Sequence, residues 1–495
     1  MRNYESLIQT CESDIRMSRA QDAAKRLSIL NPYKVPRVWR LPIANLCRRV
    51  GLIAFGLKIL SPVIYAEFNR KASQPTVKEV AEYAVLLLRS GSVIESLLTL
   101  ERVNGNEVPE AMLYRAFAHF ARWEYPEAIP SLEAYLKSDL TPYASMVGRV
   151  NLAAALVATR NYGRAETLLN QNIEDARAMG ATRLLGNNLE LRSQIFIDHG
   201  EYQRARGDLH EAEALLRNDP SMSRSFVEKW FAVIDGLEGR GSERLRKFRA
   251  ESKARGEWEN VREADLFLSK IAFTAEVFEH LYFGSPFPYY RQMIEHYVGR
   301  RPTSLEYVLG DQHASNVINI STGKIEEQDQ AIPGKNMHRM VACLVKDFYR
   351  PRSLGGLFSE VFSGDHFNIF HSPDRVHQLL RRTRIWLKQE GLPLEIVEDR
   401  GHYSLKIIGP VAFRMALEVR AQLNEEVLFQ EVQAVFMNQG SFTAREAREK
   451  LGLAKTSFNR IIQWAVSEGH LRSKGTSSKT MYEFVHLPDR LKSSA

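Results

Sequence analysis

Cysteine is scarce in this chain. Cys11, Cys47 and Cys343 lie far apart, in no spacing that would chelate zinc or frame a disulfide-stapled fold, so a reducing, cytoplasmic setting is expected. Long apolar runs are missing too. The first residues carry no apolar stretch of the secretory kind. The most membrane-like segment, Gly51 to Phe68, is interrupted by Lys58 and Pro62 and falls short of the roughly twenty apolar residues that a spanning helix needs. It reads as a buried helix pair, and no membrane partner is expected. Motifs of common chemistries are also absent: there is no H-E-x-x-H, G-x-S-x-G or C-x-x-C, and of a phosphate loop only the fragment Gly323-Lys324. His366, His371 and His377 cluster around Asp365 and Asp374, but their spacing suits no single helical face, and they read as turn and helix-start residues. The expectation is therefore no enzyme, with no catalytic residue, metal or cofactor.

What is present is a long soluble-type chain with a basic excess. Its 495 residues suffice for two to four domains, and 67 Lys and Arg against 59 Asp and Glu leave a net charge of +8, which mildly favours a polyanionic partner. The most specific segment is the last. Thr443 and Glu446 have the spacing of a capping box, which predicts a helix opening near Ala444, with Ala447 and Leu451 inward. A second helix from about Ala454 places Phe458, Ile461, Ile462 and Ala465 on one side and Lys455, Thr456, Asn459, Arg460 and Gln463 on the other. A basic hairpin follows, with Arg472, Lys474 and Lys479 around Gly475. Two helices with a tight turn and a basic hairpin make a winged helix-turn-helix. A helix of this kind fits the major groove, where Asn459, Arg460 and Gln463 are suited to bases. Lys455, Arg472, Lys474 and Lys479 are suited to phosphates.

The middle of the chain repeats itself. Four times a small residue is followed twelve positions on by another, and then by Leu: Ala84, Ser96, Leu100; Ala116, Ala128, Leu132; Ala153, Ala165, Leu169; and Ser193, Ala205, Leu209. Tyr125, Tyr162 and Tyr202 stand three before the second small residue. Antiparallel helices approach closely only where small residues cross. WEYPEAI, RNYGRAETLL and GEYQRARGDL resemble tetratricopeptide repeats, whose period is about 34 residues. Leu245 continues the register but Arg249 replaces the Leu. Residues 1 to about 300 read as one helical superhelix whose groove would take a peptide or protein partner. Arg160, Arg164, Arg183, Arg192, Arg204 and Arg206 give it a basic flavour, which is either a site for an acidic peptide or a solvated face.

From Val308 the pattern changes to short strands, then to three helices, then to the hairpin LEIVEDRGHYSLKI. The helix from Pro373 puts Val376, Leu380, Thr383 and Leu387 on one face and Arg375, Gln378, Arg381, Arg382 and Lys388 away from it. A small N-terminal sheet, three helices and a hairpin ending in Gly-x-Tyr resemble the OmpR/PhoB-type winged helix. That resemblance implies that Arg381 and Arg382 face the groove, that Arg384 contacts phosphate, and that Arg400 falls near the wing position that enters the minor groove. Two features depart from it: Glu398 and Asp399 place negative charge in the wing, and His402 adds a residue between Gly401 and Tyr403. The receiver domain often joined to such modules is replaced here by the repeats.

The fold class expected is mainly α: an N-terminal α-solenoid followed by two small α+β winged-helix domains. The expected divisions are a helical region over 1–75, tetratricopeptide-like repeats over 76–303, an OmpR/PhoB-like winged helix over 304–409, a linker helix over 410–423 and a second winged helix-turn-helix over 424–495. Two functions fit this plan. One is a transcription regulator that binds double-stranded DNA under control of a ligand of the repeats. The other is a non-enzymatic scaffold whose winged helices dock proteins. Homodimerisation stays open.

Overall fold

In the computed structural model, the residues described are 4–17, 19–65, 74–217, 223–311, 313–326, 330–363, 365–416, 429, 432–433, 435–436, 440–451, 455–467, 470–475 and 480–484. They form two compact units, Met1–Ala416 and Leu417–Ala495.

The first unit opens with α1 (Tyr4–Arg16), α2 (Ala20–Ser28), α3 (Arg37–Arg49) and α4 (Ile53–Ile64). The apolar segment expected to be a helix pair is the single helix α4, packed between α3 and its successor. Pro62 stands inside the helix, three residues before its C-cap Tyr65, where its missing N–H removes one intrahelical hydrogen bond. Five antiparallel hairpins follow: α5 (Val77–Ser90) with α6 (Val93–Glu101), α7 (Glu110–Phe120) with α8 (Tyr125–Leu136), α9 (Pro142–Ala158) with α10 (Tyr162–Ala178), α11 (Thr182–Asp198) with α12 (Tyr202–Leu216), and α13 (Ser223–Leu237) with α14 (Glu243–Arg255). The array ends in α15 (Trp258–Ile271), α16 (Ala275–Phe283) and α17 (Pro288–Val298). All twelve repeat positions singled out from the sequence are fully buried, as helix crossings require. The turns inside the hairpins share a backbone device. Gly91, Trp123, Arg160 and Gly200 each stand five residues before the second small residue and each has a positive φ, of 94°, 61°, 61° and 76°.

After α17 the chain builds β1 (Glu306–Gly310), β2 (Val317–Asn319), β3 (Lys324–Ile325), β4 (Gln330–Ala331), α18 (Lys335–Lys346), β5 (Arg352–Ser353), α19 (Leu354–Val361), α20 (Ser372–Gln389), β6 (Leu394–Asp399), β7 (His402–Ile407) and β8 (Ala412–Ala416). The face of α20 expected to be inward is buried at Val376, Leu380, Thr383 and Leu387. Arg400 and Gly401 form the two-residue turn between β6 and β7, both at positive φ, the primed-turn geometry that matches strand twist.

The linker helix expected from Pro410 is corrected here. Ala412–Ala416 is a strand that pairs antiparallel with β1 and parallel with β2, inside a five-stranded sheet of order β1-β8-β2-β3-β4. Val411 to Met415 is a short run of apolar residues broken only by Arg414, and such a run does not separate strand from helix by periodicity. Residues 417–423 lie outside the described residues.

A larger difference concerns independence. The segment expected to be a separate domain over 304–409 shares one hydrophobic core with the N-terminal helices: Cys47, Leu57, Ala84 and Leu100 belong to the same cluster as Met340, Leu357, Phe358 and Val376. Gly355 in α19 lies so close to the α5–α6 turn that a Cβ there would stand 2.6 Å from the Ser90 carbonyl oxygen. Ser353 Oγ donates to that same oxygen at 2.8 Å. Farther along the seam, Phe367 N donates to Glu95 Oε2 at 2.7 Å and Tyr65 Oη donates to the Phe367 carbonyl.

The second unit contains β9 (Ser441–Thr443), α21 (Ala444–Leu451), α22 (Lys455–Ser467), β10 (Leu471–Lys474) and β11 (Met481–Phe484), with its strands in the order β10-β11-β9. The capping box is formed: Thr443 N donates to Glu446 Oε2 and Glu446 N donates to Thr443 Oγ1. Ala447, Phe458, Ile461, Ile462 and Ala465 make the core with Phe429, Val432, Phe436 and Phe442. Among the described residues, no helix is long and apolar enough to cross a membrane.

Candidate ligand groove and DNA-contacting faces

The first helix of each hairpin faces the inside of the array, so successive hairpins supply a common wall. From α7 come Phe120, from α9 Ala154 and Val157, from α11 Glu190 and Gln194, from α13 Phe226, Lys229 and Trp230, and from α15 Glu259, Glu263 and Leu266. Together they line a cavity of about 370 Å³ that Tyr297 and Arg350 close. Of its polar groups Glu190 and Lys229 are buried, Gln194, Glu259 and Glu263 half-buried and Arg350 exposed. Glu190 accepts from Trp230 Nε1 and Gln194 Nε2. Burial pushes the Glu190 carboxyl up, and the nearby Lys229 charge opposes this. Lys229 itself pairs with Glu263. Glu190, Glu259 and Glu263 thus outnumber Lys229 and Arg350 in the lining. The arginines that suggested an acidic ligand are largely satisfied on the array itself: Arg164 by Glu133, Arg192 by Asp208, Arg204 by Glu201, and Arg206 by Asp235 and Glu238.

Helix α15 carries the groove on one face and contacts the segment after α18 with another. Arg262, a turn on from Glu259, is fully buried and donates through Nη2 to both oxygens of Asp347 at 2.8 and 2.9 Å. Burial works against its charge, but Asp347 and Glu259 outweigh that and hold the guanidinium above its ordinary value. The group lies against the rings of Phe287, Tyr290 and Tyr349. Asp347 also accepts from the backbone N–H groups of Tyr349 and Arg350. One turn on, Asp265 accepts from Tyr349 Oη and pairs with Arg249. Arg249 is the residue that breaks the repeat pattern, so the irregularity marks the place where the array meets the next segment. Arg262 and Asp347, 85 positions apart, carried no sequence signal beyond their charges.

The residues singled out for DNA fall into distinct situations. Gln378, Arg381, Arg382 and Lys388 are exposed on α20. Arg375 is exposed but pairs with Asp365 at 2.7 Å and lies over the Phe362 ring. Arg384 donates through Nε and Nη2 to the Ile396 carbonyl at 3.2 and 3.0 Å, tying α20 to β6. Arg400 projects from the hairpin tip with its side chain 91% exposed, beside Asp399. In the second unit Asn459 and Gln463 are exposed on α22, and Arg472 on β10. Lys474 pairs with Glu483 at 2.9 Å. Lys455, Thr456 and Arg460 lie in α22, with side chains outside what is described, and Lys479 lies outside the described residues. Among the described residues, no cluster of His, Cys, Asp or Glu is arranged to hold a metal ion.

No protein-family model matches this sequence, and no curated protein matches it. Among solved structures, the apo form of RapI is similar at 11% identity and a TM-score of 0.40, over 57% of this chain and 86% of that one. A Rap protein complexed with competence and sporulation factor is similar at 13% identity and a TM-score of 0.40, over 56% and 83%. A tetratricopeptide repeat protein from Parabacteroides merdae is similar at 15% identity and a TM-score of 0.33, over 56% and 96%.

Proposed function

We propose that the chain is a DNA-binding regulator in which the helical repeats dock a peptide or protein segment and bias two DNA-contacting modules. The observation that carries this reading is the amphipathic division of α20. Its inner face is buried at Val376, Leu380, Thr383 and Leu387, while Gln378, Arg381, Arg382 and Lys388 stand exposed. A helix held this way offers guanidinium groups to guanine edges or phosphates. In the second unit, Asn459 and Gln463 stand exposed on α22, side chains suited to base edges. The modules correspond to the first segment after the repeats, over about 304–416, and to residues 424–495.

The groove chemistry suits a segment with apolar side chains and a cationic group, since aromatic walls surround an excess of carboxylates. Control follows from α15, which lines the groove with Glu259 and Glu263 and holds the DNA-contacting segment through Arg262 and Asp265. A ligand that binds two arrangements of α15 unequally shifts the module's equilibrium by that difference and no more.

The test uses the full chain. Retention on random duplex DNA falls steeply with salt, and Arg381→Ala with Arg382→Ala weakens binding and flattens the salt slope by about two. Salt-insensitive or absent retention would sink the reading. The scaffold reading has its own supporting observation: Glu398 and Asp399 are exposed in the hairpin, and Asp365 and Glu483 neutralise Arg375 and Lys474. It predicts that the double substitution leaves DNA retention unchanged.

A further inference from the structure

A second recess, of about 460 Å³, lies on the seam between the repeats and the segment that carries α20. One wall comes from the α5–α6 and α7–α8 turns, with Gly91 and Arg122. The other comes from the end of α18, from β5 and from α19, with Lys346, Arg350, Arg352 and Ser359. Its charges do not cancel. The two carboxylates of the lining are already engaged, Glu124 by Arg122 at 2.7 Å and Glu360 by Arg352 at 3.2 Å. The remaining permanent cations, Lys346 and Arg350, make no ion pair with a described residue. Arg350 also acts at a distance on Glu259 across the groove, lowering that carboxyl against the larger effect of its burial. Hydroxyls complete the recess. Ser353 Oγ is engaged with Ser90 O and Gly356 N, whereas Ser359 Oγ is shut from solvent and has no hydrogen-bond partner among the described residues.

Two cations without an ion-pair partner among the described residues, beside carboxylates already engaged, describe a receptor for a compact dianion. We propose that the seam binds a small phosphate-bearing ligand, its phosphate held between Lys346 and Arg350. A phosphate monoester carries close to two negative charges, matching the two cations. The volume admits the phosphate with a moiety the size of a sugar or nucleoside, and the walls come from both partners of the seam. Occupancy therefore stiffens the attachment of α18 and α19 to the repeats. Because Arg350 lines both the recess and the groove, ligands of the two affect each other's affinity. The site stands independently of the DNA-binding reading.

The experiment takes the full chain at constant ionic strength, with chloride as the control anion. Inorganic phosphate, glucose 6-phosphate and adenosine 5′-monophosphate are titrated in turn, following thermal unfolding and the ³¹P line width. The proposal expects at least one of them to raise the midpoint by several degrees over chloride, and the pattern distinguishes a bare phosphate from a sugar or nucleotide ester. Lys346→Gln with Arg350→Gln should weaken that ligand at least tenfold, while Lys346→Arg keeps it within about threefold. If the double variant fails to fold, the single Lys346→Gln, with an expected loss of several-fold, takes its place. Three results overturn the proposal: no probe exceeds chloride, the substitutions leave the affinity unchanged, or duplex DNA displaces the ligand competitively, which would assign the cations to the DNA backbone.

Discussion

Replacing Asp347 with Asn tests whether the buried ion pair fastens the repeats to the segment bearing α20. Arg262 is fully buried, and its Nε and Nη1 have no hydrogen-bond partner among the described residues. Its carboxylate neighbours are Asp347 at 2.8 Å and Glu259 at 3.4 Å. A guanidinium does not shed its proton to escape such a site. Removing one member of a buried pair costs about 3 to 5 kcal/mol because the other charge is left uncompensated. Asp347→Asn keeps an oxygen to accept from Tyr349 N and Arg350 N, so the loss reports on the pair and not on the turn. Arg262→Met should cost less, because Asp347 retains those two backbone donors and a carboxylate can protonate. The double variant should cost less than the sum of the two, the signature of a direct interaction. Urea unfolding of the four proteins measures the cycle. Hydrogen exchange over α18 and α19 should accelerate selectively in Asp347→Asn. A cost under about 1 kcal/mol for Asp347→Asn, or strict additivity, would refute the reasoning.

Glu95 makes stability depend on pH. Burial pushes its carboxyl up to about 7 from 4.5, against the Phe367 N–H that favours the charge, and the exposed His366 lies 3.7 Å away. The folded chain holds this proton where the unfolded chain has lost it, so the contribution of Glu95 to stability is fully present below about 4.5 and is lost as pH rises towards 7, by up to about 3 kcal/mol; Glu95→Gln should gain stability relative to the parent at pH 8 and little at pH 5 in urea midpoints. Gly355→Ala forces α19 away from the α5–α6 turn and should cost about 1 to 3 kcal/mol, read as a lower unfolding midpoint. At the left-handed turn positions, Arg160→Gly should be neutral to slightly stabilising, by up to about 1 kcal/mol. Trp123→Gly should destabilise, because that ring packs on Tyr290 at 4.3 Å. A fragment beginning at Ser304 should aggregate on expression, since it exposes the half-core that the N-terminal helices cover; a soluble monomeric fragment would contradict the shared core.

Local pattern carried most of what the sequence revealed. The small-residue register located every hairpin crossing from Ala84 to Leu209, because a crossing demands small side chains whatever surrounds it. The capping box at Thr443 and the inward face of α20 were legible for the same reason: each is fixed by residues within a few turns. Long-range pairing was not legible. β8 reads as a helix because its apolar run is short and broken only by Arg414, and no local signal separates such a strand from an apolar helix. The fusion of residues 11–111 with 318–415 into one core left no mark except, in retrospect, the paired glycines at 355 and 356. The groove carboxylates Glu190 and Glu263 were indistinguishable from surface charges until the hairpins aligned them. The exposed residues of α20 were found from periodicity, but the commitments of Arg375 and Arg384 to Asp365 and Ile396 needed three dimensions.

The shared core also sets a timetable for biosynthesis. The N-terminal helices bury their apolar faces against residues that leave the ribosome roughly 200 to 400 positions later, a delay on the order of 10 to 80 seconds at ordinary elongation rates. During that interval the hairpins between α7 and α14 can close on their own nearest-neighbour contacts, while α3, α4 and α5 wait with an unsatisfied face. The strand that joins β1 to β2 in the five-stranded sheet, β8, is the last piece of the unit to be made. Slow translation through residues 300–416 would therefore lengthen the exposure of a sticky nascent surface, and chaperone dependence should concentrate in that window.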